Sequence, residues 1–189
     1  MGWKEFSNNN TRALIAESLR HIMLTKSFDN IRIKDICDEV GVVRVTFYNY
    51  FIDKYDALGY LIRMDLIEPN EELISNGQLE AAVTRMLKKI DEEKTFYKTA
   101  MNISGQNGFS EQLMEELQKQ IEGMLEKYRK PDLSKHEISN KAAARLLATI
   151  FVDCVHYWLD YAEKVPVDQA ILYMKQLMNN SVMDYLRRQ

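Results

Sequence analysis

The residues of this chain best equipped for chemistry lie between positions 44 and 50: Arg44, Val45, Thr46, Tyr48, Asn49 and Tyr50. A guanidinium offers a planar fork of donors, an amide offers a donor and an acceptor, and hydroxyls hold phosphate oxygens. At about 100° per helical residue, Arg44, Val45, Tyr48 and Asn49 fall on one face, with Thr46 and Tyr50 at its flanks. Phe47 and Phe51, four apart, form the opposite, buried stripe. A face of this composition suits the reading of base edges and the holding of phosphates. For Tyr48, between the two sectors, core packing is the competing reading.

The preceding residues form the device that presents this face. Ile33, Ile36, Cys37 and Val40 recur at i, i+3, i+4 and i+7, which predicts a short amphipathic helix. Gly41 follows at once and suits a left-handed helix end, with Val42 packing into the corner. A first helix is expected from Asn8 to Lys26, capped by Asn9, Asn10 or Thr11 and buried through Ile15, Leu19, Ile22 and Met23. Phe28 and Ile31 are expected to plug a three-helix core. Arg32 and Lys34 open the second helix, and Asp53 caps a fourth whose first turn holds Lys54. Cations are mildly unfavourable at helix N-termini, so these three point to an external anion such as phosphate, against the bland reading of solvated ends.

Beyond Pro69, Leu79–Ile90, Thr95–Met101 and Ser110–Tyr128 read as the fifth to seventh helices, with a loop at Ser104–Gly108 and a polar linker at Arg129–Lys135. The eighth helix, Glu137–Glu163, is apolar nearly all round, which requires burial on all sides. Packing within the subunit on one side and against a second subunit on the other satisfies that requirement. Pro166 opens a ninth helix, ending near Tyr185, Arg187 and Arg188. Asp153 and His156 interrupt the eighth helix. A carboxylate–imidazole contact and a ligand contact are both open for them, while a metal site lacks a third ligand. Cys37 and Cys154 lie in apolar helical patterns and read as core residues.

The bulk composition fits a soluble globular protein of 189 residues, 46% hydrophobic and 28% charged, with only 7 Gly and 3 Pro. No strand-like alternation appears, so the expected class is all-α with about nine helices. Neither a signal peptide nor an apolar run near membrane length is read, which predicts a cytoplasmic protein without membrane contact. The formal net charge of −3 hides an asymmetry. Residues 1–34 hold six lysines and arginines against three acids, and the rest of the chain is acidic. A basic N-terminal region on an acidic body fits a nucleic-acid reader attached to a body with another task. Enzyme chemistry is not expected: no Ser-His-Asp set, metal cluster or phosphate loop is found, and His21, His136 and His156 are scattered.

The run D-I-C-D-E-V-G-V-V-R-V-T-F-Y-N-Y-F-I-D-K-Y-D-A-L resembles the helix-turn-helix signature of the TetR family of transcriptional regulators. Gly41, Val42, Thr46, Phe47, Tyr48, Tyr50, Phe51, Lys54 and Leu58 match it position by position. Arg32 stands where the family has a capping Thr, and Val43 where it has a capping Ser. Valine cannot accept orphan amide protons, a loss worth about 1 kcal/mol. Phe96–Ser110 and Tyr157–Tyr161 are similar to the C-terminal domains of regulators linked to dihydroxyacetone kinase.

The resemblance implies a helix-turn-helix domain over residues 1–53 and a helical ligand-binding and dimerisation domain over 54–189. It implies that the third helix enters the major groove of double-stranded DNA, where Arg44, Val45 and Asn49 reach bases. Thr46, Tyr48, Tyr50 and Lys54 then hold phosphates, joined by Arg32 and Lys34. Arg44 bidentate to a guanine supplies about 1–3 kcal/mol of discrimination. A homodimer through the eighth and ninth helices reading a near-palindromic operator doubles the contacts. The resemblance also implies a cavity for an unidentified small-molecule inducer. Its candidate lining is Tyr97, Met101, Phe109, Met114, Met124, Asp153, His156, Tyr157 and Trp158, with core packing the competing reading for each. No cofactor is expected. The function expected is a ligand-responsive repressor; the alternative is an adaptor or co-activator acting through a protein partner.

Overall fold

The computed structural model describes residues 3–105, 107–129, 138–161 and 164–179, with side chains from Asn10 onward. The fold is all-α, with no strand among the described residues. Gln106, most of the expected linker with Pro131, His136, Tyr185, Arg187 and Arg188 lie outside them. Contacts gather the chain into two compact units, Met1–Asp65 with Thr95–Leu113, and Leu66–Lys94 with Met114–Gln189. The division expected between residues 53 and 54 falls inside the first unit.

In the first unit, α1 spans Trp3–Met23. It starts upstream of the expected Asn8, so Asn9, Asn10 and Thr11 lie within the helix and do not cap it. Ile15, Ala16, Leu19 and Met23 are its buried stripe. A 3-10 turn at Phe28–Asn30 follows, and Phe28 and Ile31 are both buried, as plugs of the three-helix core. α2 (Ile33–Val40) and α3 (Arg44–Tyr48) are separated by the turn at Gly41, whose φ of 75° and ψ of 33° are left-handed. A Cβ built there meets nothing within 4 Å, so the backbone conformation is what asks for glycine. α4 (Lys54–Ile62) begins at Asp53, whose Oδ1 accepts the N–H groups of Tyr55 at 2.8 Å and Asp56 at 2.9 Å. The Asp56 carboxylate reaches back to the Ile52 N–H at 3.0 Å, the reciprocal half of a capping box. α1 packs on both α2 and α4.

In the second unit, a 3-10 turn through Pro69 leads into α5 (Glu71–Ser75) and α6 (Leu79–Glu92). The short α5 was not expected, since five residues show no period. α7 (Lys94–Met101) falls almost entirely in the first unit, and the first turn of α8 (Phe109–Tyr128) closes that unit. α9 (Asn140–Tyr161) and α10 (Val167–Asn179) complete the second, with α10 packing on α6 and α9. α9 is long and apolar enough to cross a membrane by length and composition. One side of it, through Ala144, Ala148, Val152, Val155 and Leu159, is buried in the second unit. Its other side, with Leu146, Ile150, Tyr157 and Tyr161, is exposed in the single chain.

Candidate nucleic-acid interface

The interface is built from α2, the Gly41 turn and α3. Asp35 compensates for the missing cap at Arg32: its Oδ2 accepts the Arg32 N–H at 2.8 Å and the Lys26 ammonium at 2.5 Å. The Lys26 bond, then the Arg32 amide, hold the Asp35 carboxyl below the usual carboxylate range. At Val43 no such compensation exists. No side chain caps α3, and its N-terminus is held only by backbone bonds to the Val43 carbonyl, from Thr46 at 2.9 Å and Phe47 at 3.4 Å. The α-helix proper is five residues long, and turn-like bonds carry the chain on to Phe51. Phe47 and Phe51 are buried with ring centroids 5.8 Å apart, and this anchor keeps the opposite face outward.

That outward face carries the expected residues. Arg44, Val45, Tyr48 and Asn49 are exposed, Val45 by 70% and Tyr48 by 57%, while Thr46 and Tyr50 are half-buried at the flanks. The exposure of Tyr48 disfavours core packing for it, although its ring meets the edge of Phe47 at 5.5 Å. Arg32 and Lys34 are exposed, with the Lys34 ammonium 3.9 Å from the Asp38 carboxylate, a loose solvated pair. Lys54 is placed differently. Its ammonium donates to the carbonyls of Phe28 at 2.6 Å, Ile31 at 3.1 Å and Asp29 at 3.3 Å. It also lies 4.5 Å from the centroid of the Phe28 ring. An ammonium has three donors, so a phosphate reaching Lys54 displaces carbonyls. Burial pushes its pKa down, and the Asp29 and Asp53 carboxylates oppose that shift.

The residues expected to line an effector cavity do not come together as one set. Tyr97 and Phe109 stack edge to face at 5.9 Å in the interior of the first unit, with Met101 buried there too. The Tyr97 hydroxyl donates to Asp65 Oδ2 at 2.9 Å, and Arg20 reaches the same oxygen at 2.6 Å. In the second unit, Met114 accepts a bond from the Thr149 hydroxyl at 3.3 Å, and Met124 is buried. The contact considered between Asp153 and His156 is not formed: His156 Nε2 pairs instead with Asp160 Oδ2 at 3.0 Å, four residues on along the same helix face. Asp153, Tyr157 and Trp158 do converge, on a groove of about 470 Å³ between α9 and α10 that Leu87, Tyr173 and Met174 also line. Cys154, expected in the core, is half-buried on this groove, and burial then the Asp153 charge push its thiol pKa up. A second cavity, about 130 Å³, is lined by apolar side chains such as Val83, Met86, Leu117 and Phe151. Their apolar periodicity marked these residues as core, and nothing in that pattern distinguishes a packed core from a hollow one.

Comparisons with known proteins bear on this geometry. A family model described as the transcriptional regulator C-terminal region, of the TetR type, matches residues 77–180. The chain is 26% identical over 87 residues to the transcriptional activator of the dhaKLM operon, DhaS, from Lactococcus lactis subsp. lactis (strain IL1403). That stretch spans 46% of this chain and 46% of the relative, so about half the length of each is matched. A solved TetR-family regulator from Syntrophomonas wolfei superposes with a TM-score of 0.63 at 19% identity, covering 93% of this chain and 98% of that one. NalD of Pseudomonas aeruginosa, the secondary repressor of the MexAB-OprM efflux pump, superposes with a TM-score of 0.64 at 13% identity, covering 90% and 95%. These likenesses show the fold. With the family model spanning more than half of its residues, this chain belongs to the TetR family of transcriptional regulators.

Proposed function

We propose that the chain is a cytoplasmic, ligand-responsive regulator that binds a near-palindromic DNA operator as a homodimer. The observation that carries this reading is the exposed stripe Arg44, Val45, Tyr48 and Asn49 on α3, held outward over Phe47 and Phe51. Arg44 and Asn49 are the base-reading side chains. Arg32, Lys34, Thr46, Tyr48 and Tyr50 are the phosphate contacts at its margins. Two-fold symmetry is supported by the apolar residues that α9 and α10 leave exposed, among them Leu146, Leu147, Leu172 and Leu177. The groove holding Asp153, Tyr157 and Trp158 is the effector site; its volume falls in the range of small-molecule pockets, about 300–1,000 Å³.

Among the relatives, NalD is named a repressor and DhaS an activator. We assign repression, which asks nothing of the chain beyond operator occupancy. One observation favours a second reading, an adaptor or co-activator acting through a protein partner: α3 is short and lacks a side-chain cap. Footprinting with the purified chain on the DNA upstream of its own gene separates the two. Protection of two symmetric half-sites, with sequence preference relaxed in Arg44→Ala, supports the first reading. No binding to any genomic fragment at low salt, where phosphate contacts are strongest, together with binding once a captured partner is added, supports the second.

A further inference from the structure

The outward stripe of α3 includes one aliphatic side chain, Val45, and a second, Val43, is exposed at the cap position just before it. Val43 is 68% exposed and Val45 is 70% exposed, on either side of Arg44. Neither valine serves α3 itself. Val43 occupies the cap position without capping, and β-branched residues lower helix propensity. Their isopropyl groups gain nothing until a surface covers them.

What covers them follows from their neighbours. Val45 stands on the same stripe as Asn49, four residues on, and adjoins Arg44. Arg32 and Lys34 lie nearby in sequence at the start of α2. An apolar protein surface would strand these cations and the amide, whereas a nucleic-acid groove satisfies them. Within the major groove, one base substituent is apolar, the 5-methyl group of thymine. A cytosine methylated at the same carbon presents the same group.

We infer that Val43 and Val45 are specificity-determining residues that read pyrimidine 5-methyl groups beside the base that Arg44 reads. The inference rests on the DNA-reading assignment and adds to it the chemistry of the neighbouring bases: each half-site carries a 5-methyl pyrimidine next to the Arg44 contact. Arg44 alone predicts a guanine; the valines predict what flanks it.

The test uses the full chain and duplexes enriched from a random library. The enriched sequence is resynthesised with deoxyuridine in place of each thymidine in turn, and separately with 5-methyl-deoxycytidine in place of each deoxycytidine. Removing one buried methyl weakens binding about fourfold. The expected result is one or two positions per half-site where deoxyuridine produces that loss. In Val45→Ala or Val43→Ala, the ratio of thymine to uracil affinity at those positions falls toward one. Alanine is the better helix former at position 45 and no worse a cap than valine at position 43, so α3 is retained, and thermal melts of the variants confirm it. Tightening by 5-methyl-deoxycytidine, lost in the same variants, also supports the inference and assigns the methyl to cytosine. Equal affinity for both bases at every position, or a ratio that survives the double alanine variant, overturns the inference while leaving DNA reading intact. Failure to enrich any duplex overturns both.

Discussion

Lys54 shows how one side chain can satisfy a motif and still do different work. Position alone makes it a phosphate contact; in the folded chain its ammonium ties the Phe28–Ile31 turn to the start of α4 through three carbonyls. Lys54→Ala leaves those carbonyls without their partner, and hydrogen bonds to charged groups contribute about 1.5–3 kcal/mol. A lowered melting temperature with an unchanged salt dependence of DNA affinity is the expected result. A phosphate contact alone gives the reverse, an unchanged melt and a salt slope reduced by about 1. Asp35 makes the pH-dependent counterpart. Its carboxyl is held below 3.8 in the folded chain by Lys26 and the Arg32 amide. Its contribution is therefore fully present above that unfolded value and is lost as pH falls through the folded one. The melting temperature of Asp35→Asn should lie below wild type at neutral pH and converge with it only as pH falls past 3.8 and through the folded value. A difference that persists unchanged in acid shows that Asp35 acts through packing and not through its charge.

Among the elements, α3 is where local preference and task conflict. Its neighbours are locally determined: α2 ends at a left-handed Gly41, and α4 starts on an Asp53 cap with a reciprocal bond from Asp56. Those features depend on residues a few positions apart, so they are readable in the sequence. The recognition face is readable for the same reason, because Phe47 and Phe51 fix which side is inward. What is not readable depends on distant partners. The partner of His156 is Asp160 and not Asp153, Tyr97 is committed to Asp65, which Arg20 also holds, and the carbonyls around Lys54 come from a turn more than twenty residues away. Val43→Ser restores the missing cap, and such caps contribute about 1 kcal/mol. The variant should melt higher than wild type. If Val43 reads a methyl group, the same variant binds the enriched duplex less selectively, so stability and selectivity move in opposite directions. A variant that gains in both shows that Val43 has no role in reading.

For the whole molecule, the open question is what α9 and α10 meet. α9 is apolar on nearly every side, yet in the single chain only part of it is buried. Leu146 on α9 and Leu172 on α10 are exposed, and neither lines the groove or the smaller cavity. A carboxylate at Leu146 therefore leaves the folded subunit and the groove between α9 and α10 untouched. Placed against a second subunit, it is desolvated without a partner, which costs several kcal/mol and weakens association at least a hundredfold. Leu146→Glu should sediment as a monomer at concentrations where wild type is a dimer, with an unaltered helical signal. Its affinity for a single half-site should match that of wild type, while the second half-site adds nothing to its binding. A variant that still sediments as a dimer places the two-fold surface elsewhere. One that loses half-site affinity as well ties α3 to the subunit contact, because a half-site needs only one reading helix.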